Sequence, residues 1–306
     1  MSTNPTQTTL TELIALNRQA ASLKLHAKRV RSRQSGQYLS RIKGRGMEFD
    51  ESRLYEPGDD VRNIDWRVTA RTGKTHTKMF REERERPVFI SIDSRAPMFF
   101  ATQGRFKSVI AAELASLLAW TAHQQGDRVG GEIFNENEHM EFRPRRGQQN
   151  VLHLIKRLSS LTAETTVQPI SLETPMRRLH RIAHPGSLVC VISDFRGLNE
   201  AAATQLKNIS RHSEVLLIHV YDPLETALPD KGHYRVSFGE RILNINASNR
   251  QYRQHYSDHF QQRVDHLQQL SHNHLMNLVH CRTNESPATV LRKHFGVQQV
   301  KARRRA

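Results

Sequence analysis

Cysteine is scarce: only Cys190 and Cys281 occur in 306 residues. Each sits inside an apolar, strand-like run, which favours buried thiols in a reducing compartment over a disulfide framework. Long apolar stretches are missing as well. Nothing approaches the roughly 18 residues expected of a membrane span. The opening MSTNPTQTTLTELIALNRQ has no basic stretch ahead of an apolar core, so no secretory signal is read. A cytoplasmic chain with no membrane partner is the expectation. Several catalytic signatures are also absent. No GxxxxGK[ST] cradle is present, so nucleotide binding by this chain is not expected. Ser94 follows a strand-like run but lacks the flanking glycines of a nucleophile elbow. The expectation is a chain without enzymatic activity and without a cofactor.

Acidic residues are outnumbered, 30 against 46 lysines and arginines, for a formal charge of +16. The excess is local. Nine basic residues and no acid lie between Arg18 and Arg45, and Arg143, Arg145, Arg146 and the Lys301–Arg305 tail add more. Such patches attract nucleic acid, anionic lipid or an acidic protein surface. Zinc-finger spacing, a GXXG loop and a Gly-aromatic ribonucleoprotein motif are all lacking. A basic nucleic-acid-binding protein is therefore the alternative to a protein-binding module rather than the first reading.

Periodicity divides the chain. Residues 10–30 carry Leu10, Leu13, Ile14, Leu16, Ala20, Leu23 and Leu25 at helical spacing, with Thr9 or Thr11 as cap. Residues 32–46 read as linker. A Pro57-Gly58-Asp59 turn leads to a helical turn over 63–70 that Gly73 would end, and 75–80 alternates like an edge strand. After Pro87 the pattern changes. VFISID (88–93), SLVCVISDF (187–195) and EVLLIHVYD (214–222) are apolar runs closing near an aspartate, as strands buried on both faces would be. Helical stretches separate them, notably 104–124, which is apolar nearly all round. This alternation predicts an α/β fold with a doubly wound, mainly parallel sheet, whose ligands lie beyond the carboxyl strand ends. A hairpin is expected over 233–247, an amphipathic helix over 249–271 and a last strand over 276–283. The expected division is an N-terminal segment 1–86, an α/β domain 87–300 and a basic tail 301–306.

The densest motif is RLYEPGDDVRNIDWRVTAR (53–71). Arg53, Glu56, Asp59, Asp60, Arg62, Asp65, Arg67 and Arg71 alternate in sign around one turn and Trp66. Carboxylates and guanidinium groups at these spacings can pair bidentately, with Trp66 as a buried anchor. The reading is an ionic staple fixing the N-terminal segment, or else a partner contact. Together with GRGMEFDES before it, and VFISID and FKSVIAAELASLLAW after it, the motif resembles the family called domain of unknown function 58. The resemblance covers about Gly44 to Phe295. It implies a von Willebrand factor type A-like domain behind the PGDD-R-IDW-AR segment. It also implies partnership with a MoxR-type AAA+ ATPase in protein assembly or chaperoning.

Type A domains hold magnesium with Asp-x-Ser-x-Ser after the first strand, a threonine from a later loop and a later aspartate. Here the run is Asp93-Ser94-Arg95-Ala96-Pro97, and loop 143–152 has no serine or threonine. Only Asp93 and Asp194 match, so at most weak magnesium binding is expected. The expectation is that Arg95 replaces the ion, pairing with both aspartates; the alternative is a solvent-facing Arg95 and two helix-capping aspartates. His255, His259 and His266 share a helical stripe, but no His-Glu motif or cysteine accompanies them, and the polar edge of a packed helix is preferred over zinc.

Overall fold

The computed structural model describes residues 4–25, 47–82, 86–162, 171–230, 232–238 and 241–295. They group into two compact units, one drawn from Met1–Ala27 with Arg86–Ala306, the other from Lys28–Glu85.

The chain opens in the larger unit with α1 (Leu10–Ala15) and α2 (Asn17–Ala20). Thr9 caps α1 in a reciprocal box with Glu12. The helical spacing read over 10–30 is cut short here. Helix ends at Ala20, and Leu23 and Leu25 reach the core from irregular backbone. Trp120 donates its indole N–H to the Leu13 carbonyl (3.2 Å), which ties this N-terminal piece to the main core.

In the smaller unit β1 (Met47–Leu54) pairs antiparallel with β2 (His76–Glu82). Between them a 3₁₀ turn at Val61–Asn63 leads to α3 (Trp66–Thr72). Two carboxylates of the motif are caps: Asp60 accepts from Arg62 N–H and Asp65 from Val68 N–H. Gly73, at φ 71°, closes α3 in the left-handed region that favours glycine.

The larger unit then runs β3 (Pro87–Asp93), α4 (Lys107–Gln124), β4 (Arg128–Phe134), β5 (His139–Arg145), α5 (Gln148–Leu158), α6 (Glu173–Ile182), β6 (Leu188–Ser193), α7 (Glu200–Ser210), β7 (Glu214–Tyr221), α8 (Pro223–Thr226), β8 (His233–Phe238), β9 (Arg241–Asn246), α9 (Arg250–Asn273), β10 (Asn277–Arg282) and α10 (Pro287–Phe295). Six strands make one sheet in the order β10-β7-β6-β3-β4-β5. All neighbours are parallel except the antiparallel edge strand β5. The first three strands of this sheet, β3, β4 and β5, run outward one way, and β6, β7 and β10 the other. That order is the doubly wound one, with its switch point between β3 and β6. β8 and β9 form the separate hairpin.

Period-two alternation explains the two cores. Val88, Ile90 and Ile92, with Cys190, Ile192, Leu216 and Ile218, meet α4, α5 and α10 on one face. Phe89, Val189, Val191, Val215 and Leu217 meet α6, α7 and α9 on the other. With both faces covered, the strands are apolar throughout. α4 lies so deep that its apolar side chains surround it. A side chain at Gly131 would overlap the Ile90 carbonyl oxygen, so glycine is what lets β4 lie in register on β3. Both cysteines are buried and free, their thiols pushed up to about 12 by burial. Among the described residues no helix is long and apolar enough to cross a membrane.

Candidate functional site

β3, β6 and β7 end side by side, and their carboxyl ends carry Asp93, Asp194 and Asp222. All three carboxylates are buried. Burial of an ionised carboxylate is costly unless charge and hydrogen bonds offset it, so their partners decide what this end of the sheet can do.

Asp93 is met by Arg95, two residues on. The guanidinium forks onto it through Nε to Oδ1 (2.9 Å) and Nη2 to Oδ2 (2.6 Å), while Arg95 N–H donates to Oδ1 (3.0 Å). Ser193 Oγ–H adds a fourth bond to Oδ2 (2.6 Å). Arg95 is only 4% exposed, reaches within 3.8 Å of Asp194 and donates to the Arg196 carbonyl (3.0 Å). Burial alone would lower the Arg95 pKa, but Asp93 and Asp194 more than reverse this and raise it.

Asp194 has a second cation. Lys107, the first residue of α4 and fully buried, places Nζ 2.9 Å from Asp194 Oδ2 and 2.8 Å from Glu225 Oε1. Arg196 reaches the same pair, with Nη2 2.7 Å from Glu225 and Nε 3.5 Å from Asp194. Burial would raise the Asp194 pKa; Lys107, Arg196 and Arg95 outweigh it and hold the carboxyl well below its usual range. Phe195, between these aspartate and arginine residues, takes a left-handed φ of 52°. Asp222 is held differently. It accepts from the hydroxyls of Thr102 and Thr283 and from the backbone of Thr102 and Leu224, which together outweigh burial and lower its pKa.

The magnesium implied by the type A resemblance needs hydroxyl and carboxylate oxygens turned toward one point. Arg95 and Pro97 stand at the serine positions. Asp93 and Asp194 turn their oxygens toward guanidinium, ammonium and hydroxyl donors of the chain itself. These residues do not fit the ion. Asp194 is stabilised in its charged form, and Asp93 accepts four hydrogen bonds from Arg95 and Ser193.

The smaller unit holds the remaining motif residues. Arg53 pairs with Asp59 (2.7 Å) and Glu56 (3.3 Å), and Asp65 accepts from Ser52 Oγ–H (2.9 Å). Val68 N–H, then Ser52, lower the Asp65 pKa against burial. Arg62, Arg67 and Arg71 are exposed and form no ion pair among the described residues. Trp66 is 71% exposed, which corrects the expectation of a buried anchor. It is the first residue of a short helix, and the acids before it, Asp60 and Asp65, serve as caps rather than as ionic partners around a buried ring.

His255 and His259 bring their Nε2 atoms to 2.9 Å on α9, but among the described residues no third His, Cys, Asp or Glu completes a metal-holding group. Arg143 and Arg145 lie on β5 where it faces the start of β4, so they belong to the opposite end of the sheet from Asp93. Lys28 to Arg45 and the tail from Lys301 fall outside the described residues. Lys107, Ser193, Arg196 and Glu225 escaped the sequence reading. The available signal was Lys107 itself, a cation at a helix N-terminus, where the dipole disfavours it without nearby acids.

Comparison with known proteins bears on the family. Residues 51–265 match the family described as "Protein of unknown function DUF58". Uncharacterized proteins Rv1480 of Mycobacterium tuberculosis and Mb1516 of Mycobacterium bovis are each 32% identical over 198 residues, covering 64% of this chain. The match spans 62% of the length of these relatives. Among solved structures, the conserved hypothetical protein BatB from Bacteroides thetaiotaomicron aligns over 67% of this chain and 93% of its own, at TM-score 0.43 and 17% identity. An aerotolerance-related membrane protein from Bacteroides fragilis aligns over 68% and 99%, at TM-score 0.42 and 14% identity.

Proposed function

We propose that this chain, which belongs to the DUF58 family of proteins of unknown function, is a non-catalytic module that docks a protein partner at the carboxyl ends of its sheet. One observation carries the reading. Asp93 and Asp194, the carboxylates best placed for chemistry, are held by Arg95, Lys107 and Arg196 of the same chain. A site closed in this way offers shape and charge to a partner and has no free base or nucleophile to offer a substrate. The proposed partner is a MoxR-type AAA+ ATPase, the class implied by the motif at residues 53–71. Arg196, 40% exposed at its side chain, gives the strand ends an accessible positive edge for an acidic surface of that ATPase.

Co-purification and gel filtration with a MoxR-type ATPase from the same genome test this. A shared elution peak that weakens as salt rises is expected, since the contact is charged. Separate elution at low salt, with retention on nonspecific DNA instead, would favour a nucleic-acid role for the basic stretches.

A further inference from the structure

We infer that His255 and His259 form a two-point chelate for a divalent transition-metal ion that takes imidazoles at a right angle, copper(II) before nickel(II). The site is independent of the docking role. The two residues stand four apart on α9, so successive turns bring their side chains to one face. Their Nε2 atoms are 2.9 Å apart, with ring centroids at 4.3 Å and planes at 72°. At that separation the two nitrogens can share at most one hydrogen, so at least one presents a lone pair. Both residues are exposed, and an ion from solvent can reach them. Asp258, the acid between them in sequence, accepts instead from Gln254 (2.9 Å). A second close pair, His219 and His280 (Nδ1 to Nδ1 3.2 Å), is no competitor, because His219 is buried against Tyr221 and Phe260.

Geometry chooses the ion. Imidazole nitrogens bind zinc at about 2.0–2.1 Å, so a tetrahedral site spreads two of them to about 3.3 Å, whereas a right angle at the same bond length brings them to about 2.9 Å. Right-angle positions belong to the square-planar and tetragonal sites of copper(II) and nickel(II), and copper(II) stands highest among the divalent ions in affinity. Structural zinc also asks for four protein ligands, and two imidazoles fall short of that. Magnesium, which takes oxygen ligands, is no rival. The remaining positions on the ion fall to water, in keeping with the lack of a third His, Cys, Asp or Glu here among the described residues. An exposed hydrogen bond between two neutral rings adds little by itself, since water competes for both. A metal ion uses both lone pairs at once. Once one imidazole is bound the other is an intramolecular ligand, and such a tie gains about a hundredfold or more over a single contact.

The test uses the full chain and copper(II) iminodiacetate, whose tridentate chelator leaves neighbouring positions open for two imidazoles. The blocked ion is needed because the chain has 17 histidines, and exposed single ones bind bare copper weakly. Calorimetry reads the affinity, and electron paramagnetic resonance reads how many imidazole nitrogens are coordinated. One equivalent with a two-nitrogen spectrum is expected. His255→Gln and His259→Gln, both at exposed positions, should each weaken binding about a hundredfold. The double variant should be little weaker than either, because one change alone already removes the chelate. Zinc iminodiacetate should bind at least about tenfold more weakly than the copper complex. Equal affinity in the wild type and the single variants, a one-nitrogen spectrum, losses that simply add in the double variant, or zinc bound as tightly as copper would overturn the assignment.

Discussion

Replacing Lys107 by methionine keeps the apolar stem and removes the ammonium from between Asp194 and Glu225. In the native arrangement Nζ stands 2.9 and 2.8 Å from the two carboxylates, with no exposed surface. At such separations and an effective dielectric of about 20, each attraction is on the order of 6 kcal/mol before desolvation is subtracted. The net loss on breaking a buried pair from one side is about 3–5 kcal/mol. For a unit of this size that corresponds to a fall in Tm of roughly 10 °C. Differential scanning calorimetry at pH 7 reads it directly. The sign of the pH dependence is a further check. Asp194 has its pKa lowered from the unfolded value of 3.8, so its contribution is present above that pH and is lost as pH falls below it. Without Lys107 the Asp194 carboxyl should titrate higher, and the acid limb of the stability curve should move up. Adding Asp194→Asn and Glu225→Gln should recover much of the loss, because the buried charges then disappear together. An unchanged Tm in Lys107→Met would refute the view that this lysine holds the strand ends.

His219 packs against the rings of Tyr221 and Phe260, and burial first, then His280, pushes its pKa down to about 3. The unfolded chain gains protons that the folded one refuses, so stability should decline as pH drops from 6.5 toward 3. His219→Phe should flatten the upper part of that decline in urea titrations across pH. Trp66→Ala should change stability by no more than about 0.5 kcal/mol, since the ring is exposed; a large loss by thermal melting would restore a buried role. Gly131→Ala should destabilise by about 2 kcal/mol or more, because the methyl group meets the Ile90 carbonyl and β4 must shift.

The sheet was readable because burial on both faces leaves unbroken apolar runs, as in VFISID and EVLLIHVY, and the all-round apolar α4 announced its depth in the same way. Asp93, Asp194 and Asp222 were placed by their position just after those runs. What brings them partners was less visible. Lys107 looks like an ordinary surface lysine until α4 is known to start beneath the tips of β6 and β7. Glu225 is legible as the second half of a capping box with Asp222, and its other oxygen, spent on Lys107 and Arg196, follows only from the fold. The alternating charges at 53–71 misled in one respect. Asp60 and Asp65 are acids because helix starts need acceptors, so Arg62, Arg67 and Arg71 need not pair and Trp66 need not be buried.

A magnesium titration of the native chain by isothermal calorimetry tests most directly whether the chain's own cations occupy the end of the sheet. Arg95 and Lys107 already satisfy Asp93 and Asp194, so no saturable heat is expected. Tight, saturable binding abolished by Asp93→Asn would contradict the account.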